Sequence, residues 1–202
     1  MPRKKRTYLR PNKFQPHPAD VGGVEELSNV RSCTFGLTPR NRVYGVSGCL
    51  ADSNVDALLQ LPELIEVSVL DLSDSLAFTD SGLEQLFTHP SLKIFGCNGN
   101  SAITDRSAAA LCLSRQMRWF CLNGCAITDV GVQHISECRQ LLGLYLDCTA
   151  ITEECVPYLC RLTNLRYLRL TNTLVTESFR DRLSAHLPRC RSLRLGRRQN
   201  AE

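Results

Sequence analysis

A six-residue pattern, apolar-x-x-apolar-x-apolar, returns along most of this chain and limits what it can fold into. It occupies Val67 to Leu72, Leu92 to Cys97, Met117 to Leu122, Leu141 to Leu146 and Leu165 to Leu170, with starts 25, 25, 24 and 24 residues apart. A degenerate copy at Asn41 to Val46 precedes these, and another at Cys190, Leu193 and Leu195 follows. A second column keeps the same register: Phe78-Thr79-Asp80, Ile103-Thr104-Asp105, Ile127-Thr128-Asp129, Ile151-Thr152-Glu153 and Val175-Thr176-Glu177. Behind four of these stand the pairs Leu83/Leu86, Ala108/Leu111, Val132/Ile135 and Val156/Leu159. The first pattern has the period of a strand, which sends alternate residues to opposite faces. The later pairs, three residues apart, form a helical stripe. One strand and one short helix cannot bury their own apolar faces, so the copies must stack.

The pattern Leu-x-x-Leu-x-Leu-x-x-(Cys/Thr)-x-Ile-Thr-Asp resembles the leucine-rich repeat family over residues 41–195. The column that carries Cys49 and Cys125 resembles the cysteine-containing repeats of F-box proteins. Thr149 and Thr173 resemble a bacterial variant with Thr at that place. The expected fold class is α/β, a right-handed leucine-rich repeat solenoid (horseshoe) with a parallel concave sheet and convex helices. Seven strands at about 4.8 Å each make a wall of roughly 30 Å. The expected organisation is a flexible basic arm at 1–22, an N-terminal cap at 23–40, and the solenoid with a basic end at 41–202. Residues 1–22 hold four prolines and almost no apolar residue, a composition that does not order itself.

Charge becomes informative once it is divided along the 202 residues. The net +4 hides two basic ends around an acidic body. Residues 1–13 hold six basic groups and no acidic one, 180–198 hold seven Arg against Asp181, and 14–179 hold 11 basic and 18 acidic groups. No 18-residue apolar run exists to span a membrane, and no apolar stretch follows Met1 to Arg6 as in a secretory leader. The 11 cysteines are odd in number and contain no Cys-x-x-Cys, so they are expected to be reduced and mostly buried. The expected location is intracellular: cytoplasmic, or nuclear in a eukaryote. Arg3, Lys4, Lys5 and Arg6 have three readings: a nuclear address, a nucleic-acid contact, or a solubilising tail.

The acidic column at Asp80, Asp105, Asp129, Glu153 and Glu177 looks like a metal site. Each acid follows a Thr and opens a helix, so capping and the helix dipole are the expected roles. The four histidines occupy different positions in different repeats, and phosphate-loop, zinc-protease and nucleophile-elbow motifs are all missing from the sequence. No catalytic residue, metal, cofactor or small-molecule substrate is expected, and the chain is expected not to be an enzyme.

The outward strand columns are more promising. They place Val69, Ile94, Trp119 and Tyr167 in one row, Asp71, Cys121, Tyr145 and Arg169 in the next, and Asn123 beside them. Exposed aromatics are the usual anchors of protein interfaces, so a protein partner is expected on this face. Cys121, pointing outward, is the expected accessible thiol. The expected function is a non-enzymatic scaffold or adaptor. Resemblance to F-box repeat domains implies substrate recognition in a ubiquitin-ligase-type complex, although the 40 residues before the repeats are too short and polar for an F-box. The alternative is a structural component of a ribonucleoprotein particle, such as a ribosomal one, held by its basic termini.

Overall fold

The structure, a computed structural model, describes residues 34–37, 43–47, 51–59, 69–73, 75–87 and 93–196. Among these residues the sheet has eight strands in chain order: β1 (Thr34–Leu37), β2 (Val43–Ser47), β3 (Val69–Asp71), β4 (Ile94–Gly96), β5 (Trp119–Cys121), β6 (Gly143–Tyr145), β7 (Tyr167–Arg169) and β8 (Ser192–Arg194). From β2 onward every pairing is parallel, while β1 lies antiparallel on β2. Parallel neighbours require a crossover, and short helices supply it. These are α1 (Val55–Leu59), α2 (Asp80–Leu86), α3 (Asp105–Leu111), α4 (Asp129–Ile135), α5 (Val156–Leu159) and α6 (Arg180–His186). The molecule is therefore an α/β solenoid. The proposed arm at 1–22 lies outside the described residues, and of 23–40 only Thr34–Leu37 is described.

Strand register follows the 24- and 25-residue spacing from β3 to β8, with Val69, Ile94, Trp119, Gly143, Tyr167 and Ser192 in one row. The first copy is displaced. Gly45, rather than Val43, stands beside Val69, and Val46 beside Leu70. A slip of two residues keeps each side chain on its own face, so alternation alone does not reveal it.

The core runs between sheet and helices. The middle strand residues Phe95, Phe120, Leu144 and Leu168 are at most 1% exposed, and Leu72, Cys97, Leu122, Leu146 and Leu170 behind them are at 0%. The helices return Leu83, Leu86, Ala108, Leu111, Val132, Ile135, Val156 and Leu159 to the same space. Each large side chain buried there contributes about 1.5–3 kcal/mol. Phe87 meets Phe95 edge-on at 5.3 Å, which fills the space where α2 returns to β4.

The acids open their helical turns as their sequence position suggests, and they have a second role as well. Thr79, Thr104, Thr128 and Thr152 do cap their helical turns, accepting the N–H two residues ahead at 3.2–3.3 Å. The carboxylates, however, reach forward to the following repeat. Asp80 accepts the Thr104 N–H at 2.8 Å and its hydroxyl at 2.6 Å, and Asp105 holds Thr128 at 2.8 and 2.5 Å. Asp129 holds Thr152 in the same way, and Asp52 begins the series on Thr79. Each acid thus bridges two repeats. The position two residues after the acid must be small to admit the preceding carboxylate. Gly82 and Gly131 supply that space, because a Cβ on either would collide with Asp52 or Asp105. Ser107 occupies the same position and donates to Asp80. The longer Glu153 keeps only the Thr176 hydroxyl, at 2.8 Å.

The cysteines also depart from expectation. Cys112 and Cys138, on successive repeats with Cα atoms 5.4 Å apart, form a disulfide, so the thiols are not uniformly reduced. Stacking brings together two positions that are 26 residues apart in sequence.

Candidate functional site

Alternation along the strands sends Phe120, Leu144 and Leu168 inward, so the residues on either side of each face out. Trp119, Gly143 and Tyr167 stand in one register row, and Cys121, Tyr145, Arg169 and Arg194 in the next. Gly143 has a packing role: a Cβ there would run into the Trp119 indole. With no side chain at that place, the indole leans across β6 and stacks on Tyr167, at 5.1 Å and a 32° tilt. Tyr145 meets the same indole edge-on at 5.9 Å. Such pairs contribute about 0.5–1.5 kcal/mol beyond the area they bury. All three rings remain half-buried, with an open side for contact.

Arg169 completes the cluster. Its guanidinium lies 5.2 Å from the centre of the Tyr145 ring and pairs with the Asp147 carboxylate. Asp147 also accepts the Thr171 N–H at 2.7 Å, which fixes the carboxylate that aims Arg169. Arg169 Nε is buried and makes no hydrogen bond among the described residues. The arrangement offers a flat aromatic surface beside an oriented cation, and a cation held over a ring in this way is itself stabilised by about 0.5–1 kcal/mol.

The other expected residues fall in different places. Ile94, 38% exposed, begins the strand beside Trp119. Val69 and Asp71 lie in β3, in the same two rows, and their side chains are outside the description. Cys121 is half-buried in the Tyr145 row. Asn123 belongs to a structural ladder: its amide donates to Asn98 at 2.9 Å, and its oxygen accepts the Asp147 N–H at 2.8 Å. Arg3, Lys4, Lys5 and Arg6 lie outside the described residues.

Two residues escaped the sequence reading. Asp147 could have been found by parity, since it lies two places beyond Tyr145 on the same face. Among the described residues, Cys148, rather than Cys121, is the exposed free thiol. It sits at φ 58°, where the equivalent positions hold Gly99, Gly124, Asn172 and Gly196, all with positive φ. Burial, with the nearby Asp129 carboxylate adding to it, pushes the Cys155 thiol up to about 12, which makes it inert. Among the described residues, no group of three or more His, Cys, Asp or Glu side chains could hold a metal, and no helix is long and apolar enough to cross a membrane.

No protein-family model matches the sequence, and no curated protein matches it. Solved structures do match. One is internalin C2 from Listeria monocytogenes, at 24% identity and a TM-score of 0.57, covering 77% of this chain and 62% of that one. Another is the actin-binding site 2 of leiomodin-1, at 17% identity and a TM-score of 0.50, covering 68% of this chain and 86% of that one. At these identities the likeness is one of fold.

Proposed function

We propose that this chain, a leucine-rich repeat solenoid by sequence pattern and by fold, is a non-enzymatic scaffold that holds a protein partner on its concave face. The observation that carries the reading is the cluster of Trp119, Tyr145 and Tyr167 on three successive strands, with Arg169 oriented beside it. Rings already packed on one another lose little freedom on binding, which favours their use as anchors. Val69, Ile94, Asp71 and Cys121 extend the same two rows toward the N-terminal side. Substrate recognition in a ubiquitin-ligase-type complex is one specific form of this scaffold, supported by the cysteine-bearing column alone. That solved neighbours include an actin-binding segment of leiomodin-1 supports a protein partner as the class of ligand.

The test begins with a pulldown to identify the partner. Affinity is then compared for Tyr145→Ala, Tyr167→Ala and the parent, with all three melting alike. Truncating an anchor is expected to cost 2 kcal/mol or more, about 30-fold in Kd. Parent-like affinity in both variants removes the concave cluster as the site.

A further inference from the structure

The edge of the solenoid where the strands begin carries a second surface, separate from the concave cluster. Lys93, Arg118, Arg166 and Arg191 each stand one residue before a strand, at β4, β5, β7 and β8. Arg115 and Arg139 lie four residues before β5 and β6, and Arg161 and Arg189 lie in the loops leading to β7 and β8. Eight cations therefore share this edge. The segments 112–118, 136–142, 160–166 and 187–191 contain one acid, Glu137, which pairs with Arg161 at 3.4 Å.

Most of this charge is uncommitted. Lys93, Arg115, Arg139, Arg166 and Arg191 are exposed, and their side chains have no hydrogen bond or ion pair among the described residues. Arg118 turns onto the carbonyls of Arg115 and Met117, and Arg189 onto Asn164. At the C-terminal end the strip deepens into an open cleft of about 410 Å³, lined by Arg166, Pro188, Arg189, Cys190 and Arg191. Adjacent strands keep Arg166 and Arg191 together, with the Arg191 N–H donating to the Arg166 carbonyl at 2.8 Å. From β4 to β8 the strip runs about 20 Å at the usual strand spacing.

We infer that this edge binds the phosphate backbone of a single-stranded nucleic acid. Seven of the eight cations are arginine, whose planar fork matches phosphate oxygens better than a lysine ammonium does. Among the described residues no aromatic side chain lines the cleft, as base stacking would require, so recognition is by charge and independent of sequence. A protein partner would need apolar anchors that the cleft does not offer, whereas backbone binding draws its free energy from counterion release. The strip belongs to the folded repeats and does not depend on Arg3, Lys4, Lys5 and Arg6.

The test uses the full chain and a labelled 20-nucleotide oligouridine, with affinity followed by fluorescence anisotropy between 50 and 200 mM KCl. Single strands lose about 0.7 in log–log salt slope per phosphate contact. Replacing Arg118, Arg166 and Arg191 together by Gln is expected to flatten the slope by about 2, while replacing them by Lys restores most of it. Arg106→Gln, on α3, and Tyr145→Ala, in the concave cluster, should both leave it unchanged, so this surface and the concave one fail separately. An unchanged slope in the Gln variant, or no binding by the parent at 50 mM KCl, overturns the inference. So does a polyglutamate peptide that displaces the oligonucleotide at equal charge concentration, since the strip would then serve an acidic protein.

Discussion

The two edges of this solenoid each carry a regular column of charge, and the columns do opposite things. Where the strands end, Asp52, Asp80, Asp105 and Asp129 are each held by the Thr of the following repeat. Where the strands begin, the side chains of Lys93, Arg166 and Arg191 have no hydrogen bond or ion pair among the described residues. Both columns look alike in the sequence, as same-sign residues recurring at the repeat length. What separates them is a partner at the neighbouring repeat. A carboxylate holding a backbone N–H and a hydroxyl works for the fold, while an exposed arginine without a partner costs the fold little and is free to meet a ligand.

The sharpest break of this comparison is a pair of substitutions. Asp105→Ala strips Thr128 of the acceptor for both its N–H and its hydroxyl, and is expected to destabilise by about 2–3 kcal/mol, as loss of bonds to a charged group does. Arg166→Gln is expected to change stability by no more than about 0.5 kcal/mol. Urea melts of both would show it, and equal effects would mean that the edges do not differ in kind.

Acid titration sharpens the same contrast. Burial raises the Asp80 carboxyl, but bonds from the side chains and backbone of Ser107 and Thr104 outweigh it and hold the group below its ordinary 3.8. A carboxylate with a depressed value stabilises the fold fully above the unfolded-state value and loses that contribution as pH falls through the folded-state value. Parent protein should therefore outlast Asp80→Asn in thermal melts near neutrality, with the gap narrowing below about pH 3.8. A gap that widened on acidification would contradict the bridge.

Cys148 gives the smallest effects. It occupies a left-handed position that its column gives to Gly99, Gly124 and Gly196. That conformation costs a side-chain-bearing residue about 1–2 kcal/mol. Offset by the added chain entropy of glycine, about 0.5–1 kcal/mol, Cys148→Gly is expected to stabilise by under about 1 kcal/mol. In the parent, alkylation followed by peptide mapping should find Cys148 modified first and Cys121 next, with buried Cys97, Cys125 and Cys155 protected.

Much of the architecture was legible in the sequence. The 24- and 25-residue spacing states which residues stand side by side from β3 to β8, and alternation around Phe120, Leu144 and Leu168 puts Trp119, Tyr145 and Tyr167 on one open face. Those features are local periodicities, and a stacked repeat has few ways to satisfy them. Spacing failed at β2, where a two-residue slip preserves every face.

Partnership was decided by the tertiary structure. Asp80 meeting Thr104, Cys112 meeting Cys138, Arg169 aimed by Asp147, and Trp119 laid over Gly143 all join residues on neighbouring repeats. A sequence column says that a residue type recurs. Whether that residue is bonded to the next repeat or left open to solvent depends on side-chain reach across a strand spacing of about 4.8 Å. A Gly in one repeat or a Glu in place of Asp in another changes that reach without disturbing the pattern, so only the stacking of the repeats separates the charge that builds this protein from the charge it presents.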